Sequence, residues 1–252
     1  HIDIKELVIN AVSDSMLKVK ETITNMGVVV RETVIEYGDP VEKTLQMAVK
    51  EDVNLILLGS GDKGKNEKFQ LGITAEKLIR LSDKPVWVVK SNEKNNLNNI
   101  LCPVDFSDAS KRALKNAVLL SRKFKGNLRI LGVYEPYTNT SPKLKINEEM
   151  ENAILLKKFE EKMSLFVKDF DLNGVNFKID MQAGVAHERI LQTIKEYGHN
   201  LLVIGTNGRS RSGLSRFLLG SITEKVTREM PCSFVTTKTQ NIIQLKIDSE
   251  IK

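Results

Sequence analysis

Cysteine is scarce in this sequence: Cys102 and Cys232 are the only two, and they stand far apart with no metal-type spacing. That argues against a disulfide framework and against a cysteine-held metal, and it points to a reducing cytoplasm. No apolar run approaches the roughly 18 residues needed to cross a bilayer. The opening residues His1-Ile2-Asp3-Ile4-Lys5 lack the basic, apolar and small-residue blocks of a signal peptide. No membrane partner is therefore expected. Clustered positive charge is missing too. The net charge is +6, but the lysines and arginines are spread through helical segments and are not interleaved with aromatics, so no nucleic-acid face is expected. Aromatics are only 6% of the chain, whereas hydrophobic residues are 41% and charged residues 28%, values ordinary for a globular protein with a real core.

What is present is a repeat. Gly38-Asp39-Pro40-Val41-Glu42-Lys43-Thr44-Leu45-Gln46 matches Gly184-Val185-Ala186-His187-Glu188-Arg189-Ile190-Leu191-Gln192, and Asn54 to Gly59 matches Asn200 to Gly205, both at an offset of 146. Past the next loop, Gly72…Glu76-Lys77 matches Gly220…Glu224-Lys225 at an offset of 148. One unit occurs twice, and the second copy carries two extra residues after Gly205.

The second copy reads as alternating strands and helices. Short apolar runs at 99–104, 128–133, 201–204 and 232–237 are strands, and 176–182 alternates as an edge strand does. Helices are expected at 107–125, where Ser107-Asp108 can cap, and at 148–170, 187–197 and 220–228. Such alternation implies a mostly parallel sheet covered on both faces. The first copy reads as helix 8–26, strand 28–35, helix 41–50, strand 55–58, helix 73–81 and strand 86–90. Nothing in it corresponds to 99–133 and the chain begins without Met, so the expectation is a domain whose first strand, first helix and second strand are absent. The division expected is an incomplete, degenerate domain at 1–90, a polar Asn-rich linker at 91–98, a complete domain at 99–238 and a tail at 239–252.

Parallel sheets bind ligands at the carboxyl ends of their strands, where strand order reverses. Two segments of the second copy end there: Cys102-Pro103-Val104-Asp105-Phe106-Ser107-Asp108 and Gly205-Thr206-Asn207-Gly208-Arg209-Ser210-Arg211-Ser212-Gly213. The glycines of the latter let backbone amides approach a phosphate. Arg209, Arg211 and Arg216 add charge, and Gly220-Ser221 opens a helix whose first amides and dipole favour an anion. Plainer readings compete. Asp105 can cap a helix, Gly205 and Gly208 can serve a tight turn, Val133 can be core, and Arg209 and Arg211 can be solvated. Cys102 reads as a small buried strand residue. His187 and His199 have no ligand cluster beside them and read as surface histidines.

Ile100-Leu101-Cys102-Pro103-Val104-Asp105-Phe106-Ser107, Gly205-Thr206-Asn207-Gly208-Arg209 and Gly213 to Val226 resemble the universal stress protein family. The resemblance covers 99–238 and, more weakly, 1–90, as in a tandem protein. It implies two Rossmann-like α/β domains, with a five-stranded parallel sheet of order 3-2-1-4-5 in the complete copy. ATP-binding members use Gly-x2-Gly-x9-Gly-Ser/Thr for the phosphates, an Asp after the first strand, and a Val at the end of the second for ribose and adenine. The binding residues implied here are Asp105, Val133, Gly205, Gly208, Arg209, Ser210, Gly220, Ser221 and Ile222, with ATP as ligand, alone or with Mg. Members pair through the fifth strand, so 86–90 and 233–237 are candidates for a pseudo-twofold contact between the copies, and a homodimer is the other arrangement the resemblance allows.

The sequence departs from the pattern in both copies. Gly208 and Gly220 enclose eleven residues rather than nine. In the first copy the spacing is regular, but Asp62 replaces the second Gly and Ile73 follows Gly72, which reads as nucleotide-dead. No general base, metal cluster or Walker-type Lys is visible, so the expectation is a nucleotide-binding stress or signalling protein without efficient catalysis. A dimerisation or adaptor module that binds no nucleotide is the alternative.

Overall fold

A computed structural model describes residues 4–60, 71–90, 97–138, 147–206, 219–229 and 231–238. The chain divides into two compact units, His1–Thr44 and Leu45–Lys252.

The first unit holds α1 (Ile4–Asn25) and the start of α2 (Pro40–Lys50). Asp39 caps α2, its Oδ1 accepting from the amides of Val41 and Glu42 at 2.9 and 3.0 Å. Proline fits the first helical position, where no backbone donor is needed. The strand expected at 28–35 does not form: the segment is irregular, and Val29 is 86% exposed. A run of β-branched residues becomes a strand only when another segment exchanges backbone hydrogen bonds with it, and among the described residues of this unit no second extended segment does so.

The second unit is built on one seven-stranded sheet. In chain order its elements after α2 are β1 (Ile56–Gly59), α3 (Ile73–Leu81), β2 (Val86–Val89), β3 (Asn99–Val104), α4 (Asp108–Phe124), β4 (Asn127–Tyr134) and α5 (Glu148–Lys168). They continue with β5 (Asn176–Ala183), α6 (Ala186–Tyr197), β6 (Leu201–Gly205), α7 (Ser221–Glu229) and β7 (Ser233–Thr237). The spatial order is β1-β2-β7-β6-β3-β4-β5. All neighbours are parallel except β2 and β7, which run antiparallel with Trp87 opposite Val235. The two copies thus share one sheet, joined at their last strands.

Two apolar layers sandwich the sheet. One gathers Leu101, Leu131, Ile190, Leu202, Val226 and Phe234; the other gathers Ile100, Ala113, Leu114, Leu128, Met163 and Val203. Successive residues of β3 and β6 point into opposite layers, as period-2 geometry requires. Both strands are apolar throughout because both faces are covered. Helix α4 begins where expected, with Ser107 Oγ accepting from the Ser110 amide at 3.2 Å, and it ends in a left-handed Lys125 (φ 49°).

The repeat is visible in the backbone as well as in the sequence. Gly38 and Gly184 both adopt positive φ, 127° and 136°, and Asp52 and Gly198 likewise at 43° and 62°. Each pair is separated by the 146-residue offset of the sequence match.

Candidate functional site

Strands β4 and β5 lie on one side of β3, and β6 and β7 on the other. β3 is therefore where the winding of the second copy reverses, the place where α/β sheets leave a crevice at their carboxyl ends. Asp105 follows β3, Val133 lies near the end of β4, and Gly205 ends β6.

The segment after β6 is tied to the start of α7. The Gly220 amide donates to the Thr206 carbonyl at 2.7 Å, and Thr223 Oγ1 donates to the Gly205 carbonyl at 2.8 Å. Thr206 is itself anchored, its amide donating to the Thr237 carbonyl at 3.0 Å. Ser221 and Ile222 are exposed at the first turn of α7, ahead of the bond from the Glu224 amide to the Gly220 carbonyl. The amides and dipole of a helix start favour an anion there. Gly208, Arg209 and Ser210, together with Arg211 and Arg216, lie outside the described residues.

Asp105 is held in a tight turn. Its Oδ1 accepts from the Ser107 amide at 3.0 Å and from Ser107 Oγ at 2.5 Å. Ser107 in turn caps α4, so the carboxylate sits beside the N-terminus of that helix. Between them Phe106 takes φ +65°, a left-handed conformation costly for a bulky residue. Its ring is held edge-on to Phe159 and Phe166, with centroids 5.2 and 5.4 Å away, and the Lys162 ammonium lies 4.6 Å from its centroid. Aromatic packing and a turn thus fix the direction in which the chain leaves β3. The sequence did not mark Phe106, because nothing local announces a positive φ at a phenylalanine.

Gly205 has a packing reason of its own. A Cβ there would lie 2.8 Å from the carbonyl carbon of Ala109 and 2.9 Å from its oxygen and Cβ. The glycine lets α4 approach the end of β6. Val133 is half-buried against the apolar layer containing Leu131 and Ile190, so it contributes to the core as well as lining the carboxyl edge.

Two further readings are settled by burial. Cys102 and Cys232 are buried free thiols, and burial pushes the Cys102 thiol well above its ordinary range. His199 is not a surface residue: it is 4% exposed. It lies at the amino edge of the sheet, away from the candidate site, because the turn after α6 folds the chain inward to enter β6. Its ring centroid is 6.2 Å from that of Tyr197. Arg129 sits 3.7 Å from the Tyr197 centroid and pairs with Asp180. Burial, with the nearby Arg129 charge, lowers the His199 pKa to about 4. His187 is half-buried. Among the described residues no group of three or more His, Cys, Asp or Glu side chains could hold a metal, and no helix is long and apolar enough to cross a membrane.

Fold and site together define a doubly wound α/β protein with a candidate anion-binding edge at its switch point. The sequence profile of the Universal stress protein family matches residues 4–90 and 96–238, and the chain belongs to that family. It is 26% identical over 147 residues to universal stress protein MJ0531 of Methanocaldococcus jannaschii, covering 58% of this chain and 85% of that protein. Among solved structures, a universal stress protein from Archaeoglobus fulgidus DSM 4304 superposes with a TM-score of 0.67 at 22% identity, over 95% of this chain and 83% of that one. A putative universal stress protein from Pseudomonas aeruginosa superposes with a TM-score of 0.69 at 19% identity, over 92% and 80%. Those two likenesses concern the fold.

Proposed function

We propose that residues 99–238 bind an adenine nucleotide, ATP with or without Mg, and that the protein acts in cytoplasmic stress signalling without efficient turnover. In that reading the run β5-β4-β3-β6-β7 is the 3-2-1-4-5 order of a family domain. Residues 1–90 are its degenerate partner and 91–98 the linker. The observation that carries it is the bonding of Gly205-Thr206 to Gly220 and Thr223, which brings the exposed first turn of α7 beside the end of β6. That anchoring supports a phosphate cradle formed by the α7 amides, Ser221 and the basic loop, with Asp105 facing the ribose and Val133 the base.

The experiment is calorimetry of the intact chain with ATP. Saturable binding is expected, weakened roughly tenfold, about 1.4 kcal/mol, by Asp105→Asn and by Ser221→Ala. No binding at millimolar ATP overturns the nucleotide reading. The antiparallel joining of β2 to β7 favours the second reading, an adaptor that works through assembly. A chain that binds no ATP while forming a homodimer in solution supports that one.

A further inference from the structure

The end of β6 meets a hydroxyl that the first copy lacks. The Thr206 amide donates to the Thr237 carbonyl at the end of β7. In a trans peptide the C=O points opposite to the N–H, so the Gly205 carbonyl is directed to the other side of β6, that of β3. The register of β3 with β6 ends at Leu101 and Leu202, short of Gly205. The donor that this carbonyl meets is the Thr223 hydroxyl, at 2.8 Å, on a residue only 3% exposed. Thr223 lies in the first turn of α7. The amides of Ser221, Ile222 and Thr223 precede the first bond of that helix, from Glu224 to Gly220, and have no helical carbonyl to meet. A carbonyl oxygen left open beside them would carry partial negative charge and oppose an anion. Donation from Thr223 occupies it and draws the helix start against the strand end.

The first copy supplies the comparison. The offset of 148 that aligns Gly72 with Gly220 puts Ala75 at the place of Thr223. The Ser60 amide donates to the Val89 carbonyl at 2.9 Å, just as Thr206 donates to Thr237, so the peptide at the end of β1 is turned the same way. Ala75 is buried like Thr223 but has no hydroxyl to bring to that peptide. Among the described residues the Gly72 amide also makes no bond to the Ser60 carbonyl, whereas Gly220 bonds Thr206 at 2.7 Å. The same strand end and the same helix start therefore carry two ties in the second copy and neither in the first, and the side chain that differs at the tie is residue 223.

We propose that Thr223 is a positioning residue of the anion site: its hydroxyl holds the first turn of α7 against the end of β6, so that the amides of Ser221 and Ile222 and the Ser221 hydroxyl stand where a phosphate group is bound. This role rests on the nucleotide reading of residues 99–238. The test compares Thr223→Ala, which installs the residue of the first copy, with Thr223→Ser, both in the full chain. Both variants lose the γ-methyl, so the difference between them reports the hydroxyl alone. Calorimetry with ATP is expected to find Thr223→Ser within about twofold of wild type and Thr223→Ala weaker than Thr223→Ser by about fivefold or more, the size of one hydrogen bond. Equal affinities of the two variants overturn the proposal and leave nucleotide binding standing. A second measurement needs no ligand. Exchange of the Gly220 amide should be about tenfold faster in Thr223→Ala than in Thr223→Ser, and equal rates overturn the proposal. A wild-type chain that binds no ATP overturns the nucleotide reading, and the role in phosphate binding falls with it whatever the exchange rates.

Discussion

The two copies of the repeat enter their equivalent strands through the same turn and diverge afterwards. The Val53 amide donates to the Ala48 carbonyl at 3.1 Å and the His199 amide to the Ile194 carbonyl at 3.0 Å, each after a residue of positive φ. In the second copy the strand that follows is flanked on both sides and α4 closes on Gly205. In the first copy the strand is an edge among the described residues, and a Cβ on Gly59 would meet nothing within 4 Å. Similar local sequence thus reaches similar local structure, while the burial that stabilises it depends on what lies alongside.

The largest expected effect comes from the strands themselves. Leu202→Ala, fully buried in β6, should cost about 2–5 kcal/mol in urea unfolding, whereas Leu57→Ala in β1 should cost less than about 1 kcal/mol. Equal costs break the contrast. Next is pH. The first-copy counterpart of His199 is Val53, so the sensitivity belongs to the second copy alone. A folded pKa lowered from 6.5 to about 4 means that protonation favours the unfolded chain. The stability is fully present above about 6.5 and is lost as pH falls toward 4, on the order of 2–3 kcal/mol. Comparing wild type with His199→Gln at both ends of that window should show the loss only in the wild type.

Gly205→Ala should destabilise by about 1–3 kcal/mol, since Ala109 backbone must move, and Gly59→Ala by no more than about 0.5 kcal/mol. Thermal unfolding of the pair measures the closeness of α4 directly. The smallest effect is at the shared turn. Gly198→Ala should cost about 1 kcal/mol for a left-handed residue, and Asp52→Gly should recover a few tenths, reduced by loss of the ion pair between Asp52 and Lys84.

Much of the fold was legible because its signals are local. Six apolar runs and one alternating segment marked all seven strands to within a residue at each end, and Ser107-Asp108 marked the start of α4. The failures were tertiary. Residues 28–35 have the composition of a strand and no ladder to join. His199 carries no sign of burial, because the turn that carries it inward ends a helix of ordinary appearance. At the candidate site, the types and order of Asp105, Gly205, Gly220 and Ser221 could be read. The bonds from Gly220 to Thr206 and from Thr223 to Gly205 could not, since they join segments separated by a loop of a dozen residues. Nor could the closeness of Ala109, which gives Gly205 a packing role beside the binding role proposed for it.

The sequence by itself determined the repeat, the α/β class, the cap of α4 and which residues stand at the carboxyl ends of the strands, because period, capping and chain order are properties of neighbouring residues. The family resemblance had offered 86–90 and 233–237 as the contact between the copies, and β2 and β7 make it; only the tertiary structure decided that they meet antiparallel within one sheet, that among the described residues β6 is enclosed while β1 is an edge, and that His199 is buried. Those outcomes depend on which backbone hydrogen bonds and apolar faces find partners far along the chain, and that pairing is a property of the whole fold.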